Sequence, residues 1–114
     1  MAEPGPANPT LFSLVSAVDP ARKLPLNVTK AANAAAWILA AAVAATIHRL
    51  VDVHVEPADG ATYAFYSNST LIYGPFSGKA IREANPVCET VSGEALKMLV
   101  TGGNVTLAAH YIEV

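Results

Sequence analysis

The chain has 114 residues, a net charge of −2 at pH 7, 53% apolar residues and only 14% charged ones. That length holds one domain. The sparse, slightly acidic charge argues against nucleic acid as the main partner, because backbone readers carry a basic stripe and the seven Lys and Arg here are scattered.

The low charge points toward company. A small domain has a large surface for its volume, and an ordinary one is about 25% charged. A mean hydropathy of +0.37 leaves apolar surface that a membrane or partners must cover. The single cysteine, Cys88, excludes an intrachain disulfide and reads as a small buried hydrophobe.

Pro4, Pro6 and Pro9 with Gly5 mark an extended arm at the N-terminus, and no secretory leader pattern is visible there. Leu11 and Phe12 open a short apolar run, and Leu24-Pro25-Leu26 reads as extended again. The expected organisation is therefore a Pro-rich arm over residues 1–28 and a single domain over 29–114. The arm suits clamping onto a neighbour, which makes Pro4, Pro6, Pro9, Leu11 and Phe12 candidate interface residues.

Residues 29–50 read as a long helix. Asn27 or Thr29 offers a cap, alanine dominates the interior, and His48 and Arg49 fall where cations favour the helix dipole. The unbroken apolar run, 34–45, is shorter than the roughly twenty residues of a membrane span, so a buried helix is expected. Trp37, Ala41, Ala44 and His48 fall on one stripe and Leu39, Val43 and Ile47 on another, so two partners are expected, the chain's own sheet and a second subunit, with Trp37, Ala41 and Ala44 as candidate interface residues.

The remainder reads as strands. Residues 50–56 alternate, with Val51, Val53 and Val55 on one side and Asp52, His54 and Glu56 on the other. Pro57-Ala58-Asp59-Gly60 is a turn, and residues 61–66 complete an expected hairpin. A short strand over 70–73 should stop at Gly74-Pro75. Residues 77–83 suggest a helical turn. Residues 92–100 have helical composition, with a strand over 97–100 and a hairpin at Gly102-Gly103 as the alternative. Residues 104–114 form a terminal strand. The fold class expected is α+β: one long Ala-rich buried helix packed on a small, mainly antiparallel sheet.

Few residue patterns suggest chemistry. Asp52, His54 and Glu56 at i, i+2 and i+4 could bind a metal or exchange protons, more so if His110 lay beside His54. The same alternation is what the wet side of a strand shows, so neither a catalytic nor a metal site is assigned. Gly74-Pro75-Phe76-Ser77-Gly78-Lys79-Ala80 falls short of a phosphate loop by one residue between the glycines and by Ala80 in place of a hydroxyl. No nucleophile elbow surrounds any serine, no reactive-cysteine signature surrounds Cys88, and no cofactor motif is present. Three N-x-Ser/Thr triplets, at Asn27, Asn68 and Asn104, read as turn and cap chemistry.

These features favour a non-enzymatic assembly subunit. It would form a homo-oligomer and join a larger protein lattice, without cofactor, nucleic acid or membrane. In build it is similar to small decoration or minor structural proteins of bacteriophage virions, which sets the expected location in a virion, or otherwise the cytoplasm. The alternative is a small oligomeric enzyme or ligand binder. A long helix wrapped by antiparallel strands resembles the general plan of hot-dog thioesterases, which implies an interface site.

Overall fold

The structure, a computed structural model, describes residues 23–114. These residues contain nine strands and no helix: β1 Leu24–Lys30, β2 Trp37–Ala40, β3 His48–Pro57, β4 Thr62–Ser67, β5 Thr70–Ser77, β6 Ala80–Arg82, β7 Cys88–Glu89, β8 Leu96–Thr101 and β9 Val105–Glu113. They form two antiparallel sheets. One, called A here, has the order β1-β9-β3-β6, with β7 also on β3; the other, B, has the order β2-β8-β4-β5. The expected α+β fold is thus corrected to an all-β one. Antiparallel pairing holds, and no helix among the described residues is long and apolar enough to cross a membrane. Pro4, Pro6, Pro9, Leu11 and Phe12 lie outside the described residues.

The expected helix over 29–50 is divided between the sheets. Asn27 and Thr29 lie inside β1, which pairs with β9 in unbroken register from Leu24↔Tyr111 to Lys30↔Val105. Trp37–Ala40 pairs with β8, and His48 begins β3. The physical reason is that alanine's helical advantage is small, below about 0.7 kcal/mol per residue against ordinary residues. Each Val or Leu fully buried contributes about 1.5–3 kcal/mol. Leu26, just before the segment, and Leu50, at its end, are buried in the core that Phe65, Met98, Val100 and Leu107 also fill. Long-range pairing therefore outweighs local propensity. Most of the alanines, each with one methyl to bury, are left in exposed loops over 31–35 and 41–45, while Ala40 is buried in β2. Thr46 N–H donates to Val43 O at 3.2 Å, and Ala45 adopts a positive φ of 55° in that turn.

Two turns also differ from expectation. β3 lies in sheet A and β4 in sheet B, so Pro57–Gly60 is a corner between sheets, not a hairpin. β8 and β9 are divided the same way, so Gly102-Gly103 is a second corner; the strand reading of 97–100 does hold. The corners pack together: Ala58 N–H donates to Asn104 O at 2.8 Å, and a Cβ on Gly102 would stand 2.4 Å from Gly60 O. Only glycine allows that approach, and φ of +79° at Gly102 favours it as well. β5 runs through Gly74-Pro75 to Ser77, and residues 80–82 are a strand where a helical turn was expected.

Candidate functional site

The candidate residues of β3 are not brought to one point. Before position 52 the inward residues of β3 are His48 and Leu50; after it they are Val53 and Val55. The parity changes because β3 bulges: Val51 pairs with His110 and His54 with Ala108, so two residues of β3 oppose one of β9. Asp52 sits in the bulge with φ of 48°, a conformation that Asp tolerates better than most residues. Its Oδ2 accepts from Lys23 Nζ at 2.6 Å and lies 3.8 Å from His110 Nδ1. His54 Nε2 instead faces Glu56 Oε2 at 3.6 Å. His110 therefore stands beside Asp52 and opposite Val51, not beside His54. Among the described residues no three His, Cys, Asp or Glu side chains gather as a metal set.

A depression lined by His54, Glu56, Thr106 and Ala108 holds about 190 Å³. Pockets for small ligands measure about 300–1,000 Å³. His54 and Glu56 are exposed on its rim. This side of sheet A is a wet surface: Thr29 and Thr106 pair their hydroxyls across strands at 3.1 Å, and Arg49 Nε donates to Glu89 Oε1 at 2.8 Å. Val51 and Ile112 are buried exceptions on it.

The remaining chemical candidates are structural. Cys88 is buried opposite Leu50, and burial, with the Glu89 carboxylate adding to it, pushes its thiol from an ordinary 9.0 up to about 12. It is a protonated core group, not a nucleophile. Gly74–Ser77 belongs to β5 and Gly78-Lys79 to the turn into β6, with no helix to cradle a phosphate. Burial also raises the Tyr63 phenol, against the pull of Arg82, and raises Tyr111, which Glu113 reinforces.

Two buried polar knots hold turns in place, and sequence reading missed both. The Ser67 hydroxyl donates to Glu94 Oε1 at 2.6 Å and accepts from Val91 N–H at 2.9 Å, while Asn68 Oδ1 accepts from Ala95 N–H at 3.0 Å. The fully buried His48 lies 2.9 Å from Ala41 O through Nε2. A carbonyl only accepts, so Nε2 carries the proton. Nδ1 then has no hydrogen-bond partner, with Glu113 Oε2 3.6 Å away. This bond fixes the alanine loop to the sandwich.

The expected interface residues part company. Trp37 packs against the core, its Nε1–H donates to Ala31 O at 2.8 Å, and Lys30 Nζ lies 5.0 Å from its ring centroid. Ala41 and Ala44 are exposed on the loop before β3. Exposed apolar bulk lies at several places: Ile81 of β6 beside His54 on sheet A, Val43, Val91 and Val114 outside the strands of sheet B, and a row on the outer side of sheet B. In β8, Leu96, Met98 and Val100 point inward and are fully buried, so Lys97 and Leu99 point outward. Ile38 pairs with Lys97, Lys97 with Tyr66, and Tyr66 with Leu71, forming one row across all four strands. Leu99 pairs with Ala64 in the next row. Ile38 is 59% exposed and Leu71 46%. Lys97 is the only charged residue in these four strands. The signal was present in the sequence: β8 has leucines on both parities, and a half-buried strand has them on one.

Comparison of the chain with known protein families, curated proteins and solved structures found no match to any of them.

Proposed function

We propose that this chain is a non-enzymatic assembly subunit that associates with copies of itself through an apolar sheet face. The observation that carries the reading is the asymmetry of the two sheets. The outer side of sheet A presents Asp52, His54, Glu56, Arg49 and His110 around one exposed apolar side chain, Ile81, whereas sheet B has a single charge, Lys97, among Ile38, Ala64, Tyr66, Leu71 and Leu99. A sandwich needs only its inner sides apolar, so a second apolar side is surface kept for contact.

The setting we propose is a particle surface such as a virion, where many copies of a small sandwich attach to a lattice. The exposed loop 41–45, with Val43, Val91 and Val114 also exposed, offers further apolar surface for that lattice. The hot-dog alternative loses its basis, because the helix on which that plan depends is divided between β1, β2 and β3.

Sedimentation or light scattering of the purified chain from 1 to 100 μM tests the reading. A mass that is a multiple of 11.8 kDa supports it. A monomer throughout that range overturns it. Mass spectrometry of particles purified from the source tests the virion setting: enrichment of the chain with the particles supports it, and its absence from them contradicts it.

A further inference from the structure

Among the described residues, one buried side chain holds a polar atom without a hydrogen-bond partner: Nδ1 of His48. Such atoms are rare in folded proteins, because each gives up water and gains nothing in return. The His48 ring is 1% exposed and sits where the two sheets end. Its Nε2 lies 2.9 Å from Ala41 O, just past β2 of sheet B, and its Nδ1 lies 3.6 Å from Glu113 Oε2, at the end of β9 in sheet A. Glu113 reaches the ring because it pairs with His48 across the ladder, and directly paired residues share a side.

Both ring nitrogens thus face oxygen atoms, and a neutral imidazole has one hydrogen for the two of them. With that hydrogen on Nε2, the Ala41 bond forms and the Nδ1 lone pair points at a carboxylate. With it on Nδ1, Glu113 gains a donor and the Nε2 lone pair points at a carbonyl. Each neutral tautomer therefore sets a lone pair against an acceptor. The imidazolium, with a hydrogen on each nitrogen, is the one form that suits both oxygens. To close 3.6 Å to the roughly 2.8 Å of a charged hydrogen bond, Glu113 has to move by less than about 1 Å, and its side chain is 40% exposed.

The surroundings supply no competing cation. Tyr111 of β9 meets the ring edge-on at 5.7 Å between centroids, and burial, with the Glu113 charge adding to it, raises its phenol above the ordinary value and so keeps it neutral. Thr90 accepts from His48 N–H at 3.0 Å, and Glu94 of the same connection is engaged by Ser67. Arg49, next to His48 in β3, is held by Glu89 of β7 on the outer side of the sheet. Residues 41–47 carry no ionisable side chain. Burial of the ring opposes a charge on it. Against that, both hydrogens of the cation have acceptors, and the carboxylate facing it keeps its own contact with water.

The frame around the ring is fixed by main-chain bonds. Ile47 N–H donates to Val114 O at 2.8 Å, Val114 N–H to Ile47 O at 3.0 Å, and Gly93 N–H to Thr46 O at 2.9 Å. The exposed loop 41–45 is tied to this frame at its start by the ring itself, through Ala41 O. From this geometry we infer that His48 takes up a second proton as pH falls and that the imidazolium then bridges Ala41 O and Glu113, so that mild acid tightens the hold of the sandwich on the 41–45 loop. The closed loop holds this proton more tightly than the open one. The added hold is therefore present below the range in which histidines change charge and is lost as pH rises through it. The device works within one chain and does not depend on self-association.

Two measurements on the full chain test this. Long-range proton–nitrogen NMR spectra follow the ring nitrogens of His48, His54 and His110 separately. As pH is lowered from about 8 to about 5, His48 should gain a hydrogen on Nδ1 while Nε2 keeps its own. Glu113→Gln keeps the shape, removes the charge and can donate an amide hydrogen to a bare Nδ1. The His48 midpoint should then fall by about half a unit or more, while those of His54 and His110, exposed on sheet A, stay in place. Amide exchange reads the loop through Thr46 N–H, which donates to Val43 O. Corrected for intrinsic exchange, its protection should rise roughly threefold or more between about pH 8 and about pH 5 in the parent and stay level in Glu113→Gln. A folded parent whose His48 keeps a single ring hydrogen at about pH 5 overturns the inference without any variant. An unchanged His48 midpoint in Glu113→Gln overturns Glu113 as the partner. A midpoint that moves with no change in Thr46 protection overturns the hold on the loop.

Discussion

Met98 and Leu99 are neighbours in β8 with similar volumes and opposite environments, so truncating each isolates what the two sides of sheet B contribute. Met98 is fully buried, facing Phe65 across β4 and Trp37 across β2. Met98→Ala removes its thioether and methylenes from a packed interior, which costs about 2–5 kcal/mol including the cavity. A loss of about 3 kcal/mol lowers the melting temperature of a domain this size by roughly 12–24 °C. Leu99 stands outward and half-buried, so Leu99→Ala leaves no enclosed cavity. In dilute protein it should cost less than about 1 kcal/mol, the scale of one partly buried methylene or two. Its cost should then rise with protein concentration, because a contact made only between folded chains stabilises by mass action. Guanidinium or thermal melts of both variants at 1 and 100 μM measure this. Equal losses in dilute protein, or a Leu99→Ala cost independent of concentration, would refute the division into core side and contact side.

Other parts of the fold give separate outcomes. Gly102→Ala drives a methyl into Gly60 O and requires a positive φ, so it should destabilise by about 1–3 kcal/mol in a denaturant melt, whereas Gly78→Ala, with open space around it, should cost about 1 kcal/mol. Ser67→Ala strips the Val91 N–H and Glu94 of a partner at a buried position and should cost about 1–2 kcal/mol, of which the Glu94 part alone should be shared with Glu94→Ala in a double-mutant cycle. Asp52→Asn and His54→Ala should stay within about 0.5–1 kcal/mol and leave the sedimentation profile unchanged, since both side chains lie on the wet side of sheet A. Cys88 gives a pH dependence: its folded thiol ionises near 12 and the unfolded one near 9.0, so the unfolded chain releases its proton first. The Cys88 part of stability should therefore be flat below about pH 8 and fall above 9, with that part of the fall missing in Cys88→Ala.

The legible parts of the fold were those where one short segment decides its own environment. The alternation over 50–56, the β-formers of 104–114 and the turn residues at Pro57–Gly60 all announced their strands. The alanine-rich stretch misled because helix propensity is a property of neighbours in sequence, while the pairing of Val28 with Leu107 and of Leu50 with Tyr111 joins residues far apart in the chain. Turn chemistry marked the corners at Gly60 and Gly102 without revealing that each crosses from one sheet to the other. The Asp52 bulge was hidden as well: the sequence alternates straight through it and groups Val51 with Val53 and Val55, and only the pairing with β9 exposes the extra residue that turns Val51 to the other side. Asp52, His54 and Glu56 were legible as a polar side. Their failure to converge was not, because it depends on which neighbour each side chain meets. The apolar outer row was written in β8, yet it became visible only when Ile38, Tyr66 and Leu71 were seen to share its register.

The most direct measurement is an isotope-filtered NOE experiment on a dimer of mixed labelled and unlabelled chains. Cross-peaks between the Ile38, Leu71 and Leu99 methyls of one chain and those of the other are the predicted result, with none from Thr106 or Ala108 on the opposite sheet. Intermolecular cross-peaks confined to Thr106 and Ala108, or none at Ile38, Leu71 and Leu99 in a sample shown to be associated, would contradict it.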